Sequence, residues 1–91
     1  MKQSLKHKQA TFTFQHYPGK EVFLAGSFNN WDPKRNKLLE TDRPGIYSIS
    51  IMIARGRHEY KFIVDGVWYI DPKNPECVAN DIGSMNSVVV V

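Results

Sequence analysis

The sequence predicts an all-β fold, and three observations carry that expectation. Apolar and polar residues alternate with period two in several short runs; Gly, Pro, Asn and Asp punctuate those runs; and no window holds an apolar stripe at helical spacing long enough for a helix.

The elements follow in chain order. TFTFQH over 11–16 alternates cleanly until Tyr17-Pro18-Gly19 breaks it, and KEVFLAGS over 20–27 resumes with β-branched and aromatic residues at its centre. Two tightly joined strands are expected there. The stretch 28–36 is dense in Asn, Asp and Pro, which places Trp31 on a loop or at its edge. After a short KLLE run, Arg43-Pro44-Gly45 marks another turn, and IYSISIMI over 46–53 sends Tyr47, Ile49, Ile51 and Ile53 towards the core.

The stretch RHEYKFIVDGVWYI, 57–70, is the most informative, because Asp65-Gly66 is the expected centre of a two-residue type I′ hairpin. That turn fixes a register in which Val64 opposes Val67, Ile63 opposes Trp68 and Phe62 opposes Tyr69, with opposed residues on one face. Tyr60, Phe62, Val64, Val67 and Tyr69 then share the core face, while Glu59, Lys61, Ile63 and Trp68 share the other. Lys61 and Trp68 become diagonal neighbours, roughly 7–8 Å apart at the backbone.

DPKNPECVAND, 71–81, reads as loop, and 82–91 ends in a valine-rich strand on which Ile82, Ser84 and Asn86 point to one side. About seven short strands at this spacing argue for a two-sheet, immunoglobulin-like sandwich of the early-set type. There is no internal repeat.

Ninety-one residues fit one domain with a modest core and little chain left to build a deep catalytic cleft. The net charge of +3 comes from Lys2, Lys6 and Lys8, since the nine basic residues that follow are matched by nine acidic ones. Residues 1–8 are therefore expected to form a flexible basic arm and 9–91 the folded module, without an electropositive face for phosphate backbones or membranes. The lone Cys77 excludes an internal disulfide and, without companions at ligand spacing, argues against a metal site. MKQSLKHKQATF lacks the apolar run of a secretory signal, so a cytoplasmic location is expected. No cofactor motif occurs.

Taken in order, GSFNNWD, HEYKFIVDGVW, the Asp71-Pro72 step and IGSMN resemble the family-48 carbohydrate-binding modules, and among them the glycogen-binding domains of AMP-activated protein kinase beta subunits. The resemblance spans roughly residues 10–91. It implies an immunoglobulin-like sandwich that binds α-1,4-linked glucans such as glycogen, starch and maltooligosaccharides, with Trp31 and Trp68 stacking on sugar rings and Lys61 bonding sugar hydroxyls. The C-terminal motif of those kinase subunits is Leu-Gly-Thr-x-Asn; here Ile82 replaces Leu, Ser84 keeps the hydroxyl of Thr, and Asn86 is retained. The loop after Trp31 holds Thr41 as its only hydroxyl residue, so no phosphorylation switch is carried across.

The residue types suit that chemistry. A glucose ring has a C–H-rich face that can lie on an indole and a rim of hydroxyls that Asn, Ser and Lys can reach. A few such contacts, set against the cost of association, imply a Kd on the order of micromolar to millimolar, suited to tethering by multivalency. The residues alone leave alternatives: Trp31 capping one end of the sandwich, Trp68 under a covering loop, Lys61 as a solvated lysine, Ser84 and Asn86 capping the last strand, Ile82 as core filler. Asp65 is explained by its turn and Asp71 by its place before Pro72, and His16, His58 and Cys77 form no nucleophilic constellation, so no enzyme is expected. The alternative function is a protein-interaction or accessory domain of a glucan-metabolising enzyme or kinase complex.

Overall fold

A computed structural model describes residues 6–91. Among them eight strands form and no helix does: β1 (His7–Gln15), β2 (Val22–Gly26), β3 (Asn36–Glu40), β4 (Ile46–Ala54), β5 (Arg57–Val64), β6 (Val67–Tyr69), β7 (Cys77–Ala79) and β8 (Met85–Val90). Every pairing is antiparallel, in the order β1-β4-β3-β2-β5-β8-β7, with β6 beside β5.

Two layers arise because β3 changes partners along its length. Asn36, Lys37 and Leu38 pair with β2, whereas Leu39 and Glu40 pair with β4, so one strand passes from one sheet to the other. The first layer holds β1, β4 and the end of β3; the second holds the start of β3, β2, β5, β8 and β7, with β6. The immunoglobulin-like sandwich expected from the sequence is borne out, with one strand more than the seven counted.

The core lies between the layers, where the period-two alternation sends Phe12 and Phe14 inward from β1 and leaves Thr11 and Thr13 outside. Tyr47 and Ile53 join them from β4, with Ile49 and Ile51 packed partly buried alongside. Facing them are Val22, Leu24 and Leu38, and from β5 Tyr60, Phe62 and Val64. Phe14 stacks on Phe62 with ring centroids 4.6 Å apart, and Phe12 meets Tyr60 edge-on at 4.9 Å. Aromatic pairs therefore bind β1 directly to β5 across the sandwich.

The connection 16–21 crosses between layers and does not close a hairpin, since β1 pairs with β4 and β2 with β3 and β5. Buried Tyr47 clamps it: its hydroxyl donates to the Tyr17 carbonyl at 2.6 Å and accepts from the Lys20 backbone N–H at 2.9 Å. The β5–β6 hairpin has the expected register, and Asp65 (φ 52°) and Gly66 (φ 76°) supply the two positive φ angles that a type I′ turn requires. Val67 shares the core-facing side by register but is 51% exposed on the short edge strand β6, whereas its partner Val64 is buried.

Three expectations need correction. β7 forms inside 71–81, expected as loop, because Cys77, Val78 and Ala79 find the free edge of β8. His7 and Lys8, expected in the arm, begin β1 opposite Ala54 and Ile53; residues 1–5 of that arm lie outside the described residues. Ile82 and Ser84 were expected on one extended strand with Asn86, but β8 starts at Met85, and residues 81–84 form a turn with Gly83 at φ +79°.

Because Phe62 is fully buried at the centre of β5, Phe62→Ala should lower stability by about 3–5 kcal/mol in urea denaturation followed by far-UV circular dichroism. A loss below about 1 kcal/mol would contradict its place at the centre of the core.

Candidate functional site

The first contribution comes from the turn after β2, where Asn29 is buried and every polar atom of its side chain is used. Its Oδ1 accepts from the Gly26 N–H at 3.0 Å, while Nδ2 donates to the Leu24 carbonyl at 3.0 Å and to Asn36 Oδ1 at 2.7 Å. The Gly26 carbonyl in turn accepts from the backbone N–H groups of Asn29 and Trp31. A Cβ at Gly26 would lie 2.6 Å from the Glu59 carbonyl oxygen and from the Phe28 ring, so only glycine lets this turn close so tightly on β5. The turn holds Asn30 and Trp31 at φ 58° and 57°, a left-handed conformation that side chains adopt at a cost. Trp31 is half-buried, placed by strained backbone that Asn29 over-determines.

The second contribution is the outer face of the β5–β6 hairpin. Lys61 and Trp68 lie there because alternation along β5 commits Tyr60 and Phe62 to the core. Trp68 is 42% exposed, so no loop among the described residues buries it. Lys61 is only 8% exposed, its alkyl stem packed on the sheet, and its Nζ donates to Ser84 Oγ at 2.7 Å.

The third contribution is the turn between β7 and β8, organised by Asn80. Asn80 Oδ1 accepts from the backbone N–H groups of Ile82 at 3.1 Å and Ser84 at 2.9 Å, and its Nδ2 donates to Asn86 Oδ1 at 3.1 Å. Asn86 donates in turn to Glu59 Oε1 at 3.0 Å, and Arg57 donates to the other oxygen of that carboxylate at 3.0 Å. The turn lifts Ile82 out to 82% exposure, which disposes of core filling, and leaves Asn86 buried at the base.

These contributions converge on one open cleft of about 750 Å³ on the outer face of the second sheet. Trp31, Lys61, Trp68, Ile82, Ser84 and Asn86, the six candidates from the sequence, all line it. Glu59, Asn80, Asp81 and Ser27 also line it and were not singled out. Glu59 was legible in part, since the hairpin register puts it on the face of Lys61. Asn80 had only the weak signal of an Asx turn before Ile82-Gly83, and its bonds to Ser84 and Asn86 depend on a turn the alternation missed.

Chemically, two indoles offer flat apolar faces, and Lys61 has two ammonium protons beyond the one given to Ser84. Ser84, accepting from Lys61, keeps its own O–H to donate. The Glu59 carboxyl is held below its ordinary value of 4.5, first by the hydrogen bond from Asn86 and then by Arg57, so it is a charged acceptor at neutral pH. The arrangement suits a neutral ligand with a C–H face and a hydroxylated rim. Of the two carboxylates weighed from the sequence, neither lines this cleft: Asp65 pairs with Lys20 at 3.0 Å, and Asp71 accepts from the Tyr60 hydroxyl at 2.7 Å. Burial pushes the Tyr60 phenol far above its ordinary value and keeps it a donor.

Residues 8–91 match the family model described as the glycogen recognition site of AMP-activated protein kinase. Over 73 residues, 80% of this chain, it is 41% identical to the 5'-AMP-activated protein kinase subunit beta-1 of Sus scrofa and to that of Homo sapiens, and 40% identical to subunit beta-2 of Mus musculus. The match covers 56% of the first of these sequences and 25% and 26% of the other two, so the chain corresponds to only part of their length. Among solved structures, the enterobactin esterase FES from Shigella flexneri superposes on all of this chain and 31% of its own with a TM-score of 0.74 at 13% identity, a likeness of fold alone.

Asn29→Ala should lower stability by about 2–4 kcal/mol, since it orphans the buried Gly26 N–H and Leu24 carbonyl, and should shift Trp31 fluorescence; urea denaturation in a Trp68→Phe background, where Trp31 is the remaining indole, reads both. A proton on Glu59 binds less readily in the folded state than in the unfolded chain. Its stabilisation is complete above the ordinary value of 4.5 and fades as pH falls through the lower, folded one, so Glu59→Gln should flatten the pH dependence of stability below 4.5, measured by urea midpoints across pH.

Proposed function

Since this chain belongs to the family of AMP-activated protein kinase glycogen recognition sites, we propose that it binds α-1,4-linked glucan chains through the cleft on its outer sheet and carries out no chemistry on them. Trp31 and Trp68 stack on the C–H faces of glucosyl rings, Lys61, Ser84 and Asn86 bond the hydroxyls, and Ile82 packs against the chain from the exposed turn. One observation carries the reading: two accessible indoles and a buried-stem lysine line the same cleft, with amide, hydroxyl and carboxylate donors and acceptors around them.

Exposure of the cleft favours grip on a polymer passing over the surface rather than enclosure of one sugar. Individual contacts of this kind are weak, so the module works as a tether that raises the local concentration of whatever is attached to it. In this reading the attached partner is a kinase subunit or a glucan-metabolising enzyme, and the compartment is the cytoplasm, where the exposed thiol of Cys77 stays reduced.

Retention on glycogen should fall at least about tenfold for Trp68→Ala, the loss of one stacking contact and the area beneath it, while the far-UV spectrum stays that of the parent. Lys61→Met, which keeps the stem and removes the charge, should weaken binding less, by about three- to tenfold. Equal retention of parent and Trp68→Ala in the pull-down would rule this cleft out and favour a protein-interaction surface.

A further inference from the structure

A second cleft, of about 320 Å³, lies on the other side of Trp68, and the indole lines both. Its floor is a cross-strand row: Phe23 of β2 opposes Ile63 of β5, which opposes Trp68 of β6. The preceding row on the same face is Ala25 opposite Lys61, so the second floor lies one sheet repeat, roughly 7 Å, beyond the lysine of the first cleft. Ile63 is buried between its two neighbours, giving a closed apolar surface rather than a gap.

The walls differ from those of the first cleft. Pro33 and Lys34, from the loop that carries Trp31, stand on one side, and Glu21 with the Asp65-Gly66 turn on the other. Both carboxylates are solvent-accessible and, among the described residues, each shares one oxygen with a lysine, Glu21 with Lys37 at 3.1 Å and Asp65 with Lys20 at 3.0 Å. Oxygens on each therefore remain to accept from hydroxyl groups, and the Lys34 ammonium can donate.

Resting on the proposed glucan site, we infer that the second cleft takes further glucosyl units of the same chain, which crosses Trp68 and runs on over Phe23 and Ile63. Continuity decides the occupant: a ligand stacked on Trp68 has the second floor as the next surface along the sheet. An apolar floor with carboxylate and ammonium rims again fits a C–H face bordered by hydroxyls. Length preference is then built in, because short oligosaccharides fill the first cleft and only longer ones reach Glu21 and Lys34.

The test compares maltotriose with maltoheptaose on the 91-residue chain by calorimetric titration and by amide chemical shifts. Maltoheptaose should bind about tenfold more tightly and should move the amides of Phe23, Ile63 and Gly66 as well as those of Lys61 and Ser84. The exposed double variant Glu21→Gln, Lys34→Ala should bind maltotriose as the parent does and lose about threefold or more of the gain on maltoheptaose. Equal affinity for both sugars, a length gain untouched by the double variant, or shifts confined to the first cleft would overturn the extension while leaving the first site standing. Binding of neither sugar would overturn the site itself, and the extension with it.

Discussion

The register of β5 is the constraint on which the rest of the molecule depends. This strand pairs with β2 along one edge and with β8 and then β6 along the other, so its alternation governs both faces of the second sheet. Tyr60, Phe62 and Val64 close the core against β1, and the intervening Glu59, Lys61 and Ile63 form the floor of the outer surface. A slip of one residue would exchange the two sets, burying charges in the core and exposing aromatics. Folding energy and site geometry are thus set by the same hydrogen-bond ladder. The Asp65-Gly66 turn pins that ladder by admitting only one alignment of the hairpin.

Around this rigid floor, the parts of the site without regular pairing are held by asparagines. Asn29 fastens the turn that carries Trp31, and Asn80 fastens the turn that carries Ile82 and Ser84. Each uses its short amide as a surrogate for backbone partners that a strand would have supplied. Loops can then present side chains without the entropy loss on binding that a mobile loop would incur. The chain Asn80–Asn86–Glu59–Arg57 ties the second turn to β5, so the rim is bonded directly to the floor.

Much of this was legible in advance, for identifiable reasons. The hairpin pairings follow from the sequence because a two-residue turn leaves no freedom, and Tyr47, Ile53, Tyr60 and Phe62 are legible as core because alternation is strict in their strands. The six site candidates line one cleft, although the route to three of them differed. Ile82, Ser84 and Asn86 were grouped by extended alternation, whereas a turn at Gly83 and the side chain of Asn80 bring them together. β7 was not legible because its pairing rests on an edge that β8 offers and on no local propensity of a segment that follows two prolines. The opening strand was drawn too short, since His7 and Lys8 pair with β4 despite a polar composition.

By itself, the sequence determined the all-β class, the hairpin register, the outward course of Lys61 and Trp68, and a family resemblance that the matching family model bears out. All of these follow from patterns within one run of chain, where neighbouring residues constrain each other directly. Tertiary structure alone decided that β3 would serve both sheets, that the Trp31 turn would close against the Glu59 carbonyl, and that Trp68 would stand between two clefts. Those features join residues separated by tens of positions, and their geometry is set by which strand edges remain free once β5 has taken its partners.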